Sequence, residues 1–351
     1  LVLYPILIFG PAASTYKASD MKLGPQPQSL IMVVVMTALA LIAFASNSVL
    51  CRMALLGGSI EPASFTAVRV MSGAVTLVIL MALRGNRPML MWPNWAAGAS
   101  LFLYMVFFSF AYIALGAGIG ALVLFGFVQL TMISVAIALR DPFPPMAWLG
   151  FVMSIIGVVF LVRPGSEAPD LFSSFQMALA GMAWGVYSLI GKKSKNPLHD
   201  TANNFILCVP PVVLLVIIFW PEQTFDPIGL VLAVTSGALA SGCGYTIWYW
   251  CLPRFKTLQA AVLQLSVPVI AAVGGVVVLG EEISLRLGIS SVLVLGGIAI
   301  VMTSRSQNSE PRISQNWPRF TPKWGSGLVQ LASQSRTAIK QYLKRGSRNE
   351  D

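Results

Sequence analysis

Charge is scarce in this sequence. Only 10% of its 351 residues are Asp, Glu, Lys or Arg, where a soluble domain carries roughly 25%. Apolar residues make up 56%, and mean hydropathy is +0.77. A water-soluble fold this apolar would expose large hydrophobic patches and aggregate, so the composition excludes an ordinary soluble enzyme or binding module. Histidine is nearly absent, and the single copy, His199, lies near Lys192, Lys193 and Lys195. The cysteines Cys51, Cys208, Cys243 and Cys251 form no CxxC pair. One histidine and scattered cysteines leave no metal-site signature, so neither metal nor cofactor is expected and the thiols read as small buried hydrophobes. Acidic residues are missing from the apolar runs: Glu61, Asp141, Glu281 and Glu282 all stand at run ends. Proton coupling through an intramembrane carboxylate is therefore unsupported.

What is present is a succession of apolar stretches. A spanning helix needs about 20 mostly apolar residues. Ten runs answer to this, at 30–50, 62–83, 95–115, 117–139, 146–163, 172–191, 203–220, 228–249, 257–279 and 287–304. Barrel strands alternate over about ten residues, so these unbroken runs predict an all-α integral membrane protein with ten transmembrane helices. A net charge of +10 in a soluble chain would point to nucleic acid. Here the basic residues lie in short loops and a tail, which reads as membrane orientation, and no nucleic-acid partner is expected.

Orientation follows from those loops, because Lys and Arg accumulate on the cytoplasmic side. The loops after the second, fourth, sixth and eighth runs hold Arg84, Arg87, Arg140, Lys192, Lys193, Lys195, Arg254 and Lys256. The other face holds Arg52, Arg163 and Arg286. Both termini are expected inside, N-in/C-in, in a multi-pass protein of the cell (inner) membrane surrounded by lipid bilayer.

The two halves look related. Leu139-Arg140-Asp141 ends the fourth run, and Leu279-Gly280-Glu281-Glu282 ends the ninth. A competing register aligns Gln129-Leu130-Thr131 with Gln264-Leu265-Ser266. Either way the repeat is five helices long, and an odd number of spans inverts the second copy. Two inverted five-helix repeats are expected, at 30–163 and 172–304, with a substrate site between them. Residues 1–29 precede them. Met21 is a natural start, so 1–20 are left out of the fold. The stretch 305–351 reads as a basic cytoplasmic tail, either an amphipathic helix on the inner leaflet or disordered.

Several runs carry polar or aromatic groups on one helical face. Tyr104, Phe108 and Tyr112 recur at i, i+4, i+8; Trp184 and Tyr187 share a face, as do Tyr245 and Trp248. Amides within the runs include Asn47, Gln129 and Gln264. Such groups in lipid face other helices or a wet cavity. Asn47, Tyr104, Tyr112, Gln129, Trp184, Tyr187, Tyr245, Trp248 and Gln264 are therefore candidate substrate-cavity residues, with an interfacial aromatic belt as the alternative for the Tyr245–Trp250 cluster. Arg69 is the one clear intramembrane charge. It reads either as an anion-attracting gate or as a structural partner of Glu281, Glu282 or backbone carbonyls. Ser236, Ala240 and Gly244, with Gly296–Gly297, mark packing seams. Pro210–Pro211 and Pro268 are candidate kinks.

These segments stand in a familiar order. The chain resembles the EamA family of the drug/metabolite transporter superfamily over about 30–304. The resemblance is carried by Asn47-Ser48-Val49-Leu50-Cys51-Arg52, by Phe65-Thr66-Ala67-Val68-Arg69, by Gln264-Leu265-Ser266-Val267-Pro268-Val269 running into Leu279-Gly280-Glu281, and by Gly296-Gly297. It implies a permease of small organic solutes such as amino acids, metabolites or drugs, exporting by alternating access. It also implies a central cavity lined by helices 1, 3, 4, 6, 8 and 9. The first repeat departs from the pattern at Arg140-Asp141 and at Gln129. Two other classes stay in view. An intramembrane lipid-modifying enzyme would need a nucleophile–base pair, paired acids or a metal set, and no such set is found, so the chain is read as a non-enzyme. A channel or scaffold would pass solute without saturation.

Overall fold

The computed structural model describes residues 30–85, 94–139, 143–165, 168–192, 194, 196–220, 226–251, 254–255 and 263–304. Among the described residues every regular element is helical. We number the helices α1 (Leu30–Leu56), α2 (Pro62–Leu83), α3 (Trp95–Ala111), α4 (Ala117–Ala138), α5 (Pro145–Val162), α6 (Leu171–Gly191), α7 (Pro197–Ile218), α8 (Pro227–Cys251), α9 (Ser266–Leu279) and α10 (Leu285–Ser304). The segment 1–29, the start of the ninth run at 257–262, Arg140–Asp141 and the tail 305–351 lie outside the described residues.

Helix starts follow from local chemistry. Proline opens α2, α5, α7 and α8, where its missing N–H is not needed. The side chains of Asn94, Asp170 and Asn196 accept from Ala97, Ser173 and His199 N–H and cap α3, α6 and α7. The Ser173 N–H bond holds the Asp170 carboxyl below its ordinary range. Capping also explains a difference from expectation. Helix α7 begins six residues before the apolar run, because Asn196 and Pro197 start it on the polar turn Leu198-His199-Asp200, which hydropathy passes over. Helix α1 runs on to Leu56 and so carries Arg52 on its last turns. Of the candidate kinks, Pro210–Pro211 lies inside α7, whereas Pro268 falls in the first turn of α9, where it removes no required bond.

Seven of these helices, α1, α2, α4, α5, α7, α8 and α10, are long and apolar enough to cross a membrane. Helices α3 and α9 are apolar but shorter. The first turns of α6 carry Ser173, Ser174 and Gln176. Burial is reversed relative to a soluble protein. Large apolar side chains such as Val277, Val292, Phe172 and Ile217 point outward and are exposed, while Asn47, Arg69, Gln129, Ser236 and Ser241 are buried. Only a hydrocarbon surround makes that distribution stable. The chain is an all-α, multi-pass integral membrane protein.

Packing is dominated by a few pairs: α5 against α10, α3 and α4 against α6, α2 against α7 and α8, α4 against α9, and α1 against α8 and α9. Gly150 of α5 and Gly297 of α10 lie back to back, so these two backbones meet without side chains between them. Ser154 at this seam donates to the Val294 carbonyl across it (3.3 Å). Helix α8 is not uniform. Its middle, Ser236–Cys243, is a π-helix of small residues. A Cβ at Gly237 would land on the Arg69 carbonyl of α2. Smallness there is what lets α2 and α8 approach, and wide π turns of this kind re-aim the side chains they carry.

Candidate functional site

A cavity opens between the helices where these features converge. It is lined by Phe44, Asn47 and Ser48 of α1, Tyr104 and Phe108 of α3, Leu124 and Phe125 of α4, Trp184 of α6, Tyr245 of α8, and Gln264, just before α9. The empty space comes to about 400 Å³, counting the part open to the exterior. The rings form a connected wall: Trp184 lies 4.7 Å from Tyr104 and 5.4 Å from Tyr245, and Phe44 lies 5.7 Å from Tyr245, centroid to centroid.

A buried polar network stands behind this wall. The Arg69 guanidinium, with no exposed surface, donates from Nη2 to the Tyr104 hydroxyl (3.0 Å) and from Nε to Ser241 Oγ (3.5 Å). Ser241 and Ser236 both donate to Asn47 Oδ1, at 3.4 and 2.8 Å. Four helices thus meet in one chain of hydrogen bonds, and the π segment of α8 supplies both serine hydroxyls. The guanidinium carbon also lies 4.8 Å from the Phe108 ring centroid and 5.5 Å from that of Tyr104, close enough for cation–π attraction.

Of the nine candidate cavity residues, Asn47, Tyr104, Trp184, Tyr245 and Gln264 line the space. The other four do not. Tyr112 packs edge-on to Phe108 (4.8 Å), Tyr187 against Trp184 (5.3 Å) and Trp248 against Phe44 (5.8 Å). These three brace the wall from behind. Gln129 is buried in α4, one turn beyond Phe125, and is not among the lining residues. Their faces were legible, but the depth at which each helix meets its neighbours was not. Tyr245 and Trp248 are buried in the bundle, unlike residues of an interfacial belt.

Of the two readings of Arg69, anion-attracting gate or structural partner of Glu281, Glu282 or backbone carbonyls, the pair with Glu281 is not formed. Arg69 bonds through Nη2 and Nε to hydroxyls of α3 and α8 and lies against rings of α3, and Glu281 faces Arg52 instead (3.6 Å). The physical reason is reach. Glu281 follows α9 at its end, level with the last turns of α1, whereas Arg69 sits in the interior of α2. Arg52 also donates from Nη1 to the carbonyls of Tyr112 (3.0 Å) and Ile113 (2.7 Å).

Phe44, Ser48, Phe108, Leu124 and Phe125 also line the cavity and were not among the candidates. Phe and Leu in an apolar run carry no signal separating cavity from lipid. Ser48 was visible only as part of Asn47-Ser48. Chemically, the lining offers aromatic faces, amides and hydroxyls, with no His, Cys, Asp, Glu or Lys among its members. Among the described residues no three His, Cys, Asp or Glu side chains gather as for a metal.

Comparison with known proteins bears on the fold and the family. A family model described as the EamA-like transporter family matches residues 171–303. An uncharacterized protein of Pseudomonas aeruginosa is 43% identical over 270 residues, covering 77% of this chain and 94% of that protein. An uncharacterized transporter of Archaeoglobus fulgidus is 27% identical, over 58% of this chain and 74% of its own length. The threonine/homoserine exporter RhtA of Salmonella typhimurium is 28% identical over 191 residues, 51% of this chain and 62% of that protein. A crystal structure with 21% sequence identity superposes with a TM-score of 0.58 over 80% of this chain and all of that one, a likeness of fold.

Proposed function

Because this chain belongs to the EamA-like transporter family, we propose that it exports small organic solutes, such as amino acids, metabolites or drugs, by alternating access around the cavity between α1, α3, α4, α6, α8 and Gln264. It is a membrane transporter; the solute, the direction and the mechanism are the proposal. The observation that carries it is the cavity itself: an aromatic and amide-lined space inside a bundle whose outer surface is apolar. The exporter reading draws on the relative named a threonine/homoserine exporter.

The proposal extends to architecture. All ten helices are read as spans, with α1–α5 and α6–α10 as inverted repeats. Replacing each helix by the one five places away exchanges the packing of α3 on α6 with that of α8 on α1. It also exchanges α4 on α6 with α9 on α1, and returns α2·α7, α4·α9 and α5·α10 to themselves. That near-invariance supports a two-fold relation. With both termini inside the cell membrane, the ends joined by Arg52, Glu281, Ala117, Arg163 and Arg286 form the outer face. There Arg286 Nη1 donates to the Arg163 carbonyl (2.5 Å), a second tie beside that of Arg52 and Glu281.

Counterflow in proteoliposomes tests the reading. A panel of labelled amino acids and small metabolites should include one class that exchanges saturably, with exchange lost in Trp184→Ala. Flux that rises linearly without saturation would replace the carrier with a channel.

A further inference from the structure

The polar groups around the cavity are not neutral in their demands. We infer that the transported solute carries a carboxylate, received by the Tyr104 hydroxyl and the Asn47 amide in the field of the buried Arg69 guanidinium. This rests on reading the cavity as the solute site.

A tyrosine hydroxyl has one proton to give, and the Tyr104 oxygen already accepts from Arg69 Nη2. Its own proton is left to donate, and Tyr104 lines the cavity. The Asn47 side chain has one carbonyl and one NH₂. Its Oδ1 is taken by Ser236 and Ser241, so its cavity-facing capacity is the NH₂. The network behind the wall thus consumes acceptors and turns donors inward.

Charge points the same way. Arg69 is fully buried, and its Nη1 has no hydrogen-bond partner among the described residues. It has no carboxylate neighbour there either, since the Glu281 carboxylate is spent on Arg52 and Ala117. A buried cation without a counter-ion is costly, and an anion close by offsets that cost. Arg69 reaches the cavity through two wall rings and through the hydroxyl it polarises, and hydrogen-bonded chains of this kind strengthen the terminal donor. Trp184, Tyr245 and Phe44 surround the rest of the space, so the part of the solute away from the carboxylate is apolar or presents a face to the rings. A solute whose only charge is positive meets the field of Arg69 and is rejected.

The test is a matched pair. Thermal melting of the purified, detergent-solubilised chain is titrated with 3-phenylpropionate and with 3-phenylpropionamide, and likewise with L-threonine and L-threoninamide. Charge-assisted bonds to a carboxylate predict an apparent affinity about tenfold or more above that for the amide. The preference should vanish in Arg69→Gln and persist in part in Arg69→Lys, which keeps the cation without the fork. The comparison on the unmodified chain decides even if Arg69→Gln does not fold. Equal affinity for acid and amide, with both losing binding in Trp184→Ala, would overturn the carboxylate preference and leave the cavity as the solute site. Stabilisation by either compound that is indifferent to Trp184→Ala, or no stabilisation at all, would overturn the cavity reading and the carboxylate inference with it.

Discussion

Both carboxylate oxygens of Glu281 accept the backbone N–H of Ala117, at 3.0 and 2.8 Å, so a residue that follows α9 caps the start of α4. The local sequence provides no such cap, because the residue at that position is Gly116. The turn that aims Glu281 is equally specific. Gly280 is left-handed (φ 68°), and the Glu281 N–H reaches back to the Gly275 carbonyl (3.1 Å), a helix ending that favours glycine. The Leu279-Gly280-Glu281 segment is therefore one device: a stop, a left-handed turn and a cap for a helix of the other half.

Removing the cap should be felt in stability. In Glu281→Ala the Ala117 N–H loses its acceptor and the partly buried Arg52 loses its counter-ion while keeping the Tyr112 and Ile113 carbonyls, at a cost of about 1–3 kcal/mol. Glu281→Gln keeps an acceptor and should lose less. Melting temperatures of the two variants in one detergent check the order; a Glu281→Ala protein that melts with the parent would show the tie to be idle.

Gly280→Ala should act through the same contact. An L-residue in the left-handed region costs about 1 kcal/mol, and relaxing it swings Glu281 away from Ala117. Combining Gly280→Ala with Glu281→Ala should then cost less than the sum of the two, a coupling read from a double-mutant cycle.

Gly237→Ala tests the approach of α2 to the π segment. The added methyl meets the Arg69 backbone carbonyl, and overpacking costs about 1–3 kcal/mol. Because the same movement displaces Ser236 and Ser241 from Asn47, solute binding should weaken more than in a stability-matched variant at the Gly150 seam. Equal binding in the two would place the π segment outside the site.

Trp184→Ala and Gln129→Ala separate wall from scaffold. Trp184 touches the rings of Tyr104, Tyr187 and Tyr245, so its loss should reduce saturable counterflow at least about tenfold, one good contact's worth. Gln129→Ala should lower melting temperature while leaving the KM of exchange near the parent value.

Asp170 gives a small pH dependence of known sign. Its carboxyl is held below the ordinary range by the Ser173 N–H. The stabilisation is therefore complete at neutral pH and fades as pH falls through the carboxylate range. Asp170→Asn keeps a capping oxygen, so its melting temperature should track the parent's at low pH and fall slightly below it at neutrality.

Sequence by itself determined the solvent and the elements. Ten long apolar runs require hydrocarbon around them, and hydropathy placed the starts of α2, α5 and α6 within a residue, while the start of α7 at Asn196–Pro197 lay six residues before its run. It also singled out Asn47, Tyr104, Trp184, Tyr245 and Gln264, because polar and aromatic groups inside apolar runs must face something other than lipid. Only the tertiary structure decided which of those groups share a space. Tyr112, Tyr187 and Trp248 have the same composition and face as the wall residues and differ only in depth, which helix crossings set. The partners of Arg69 and Glu281 were undecidable for the same reason: a charge in a run must find a counterpart, but which one lies within 3 to 4 Å depends on where helices distant in sequence are brought side by side.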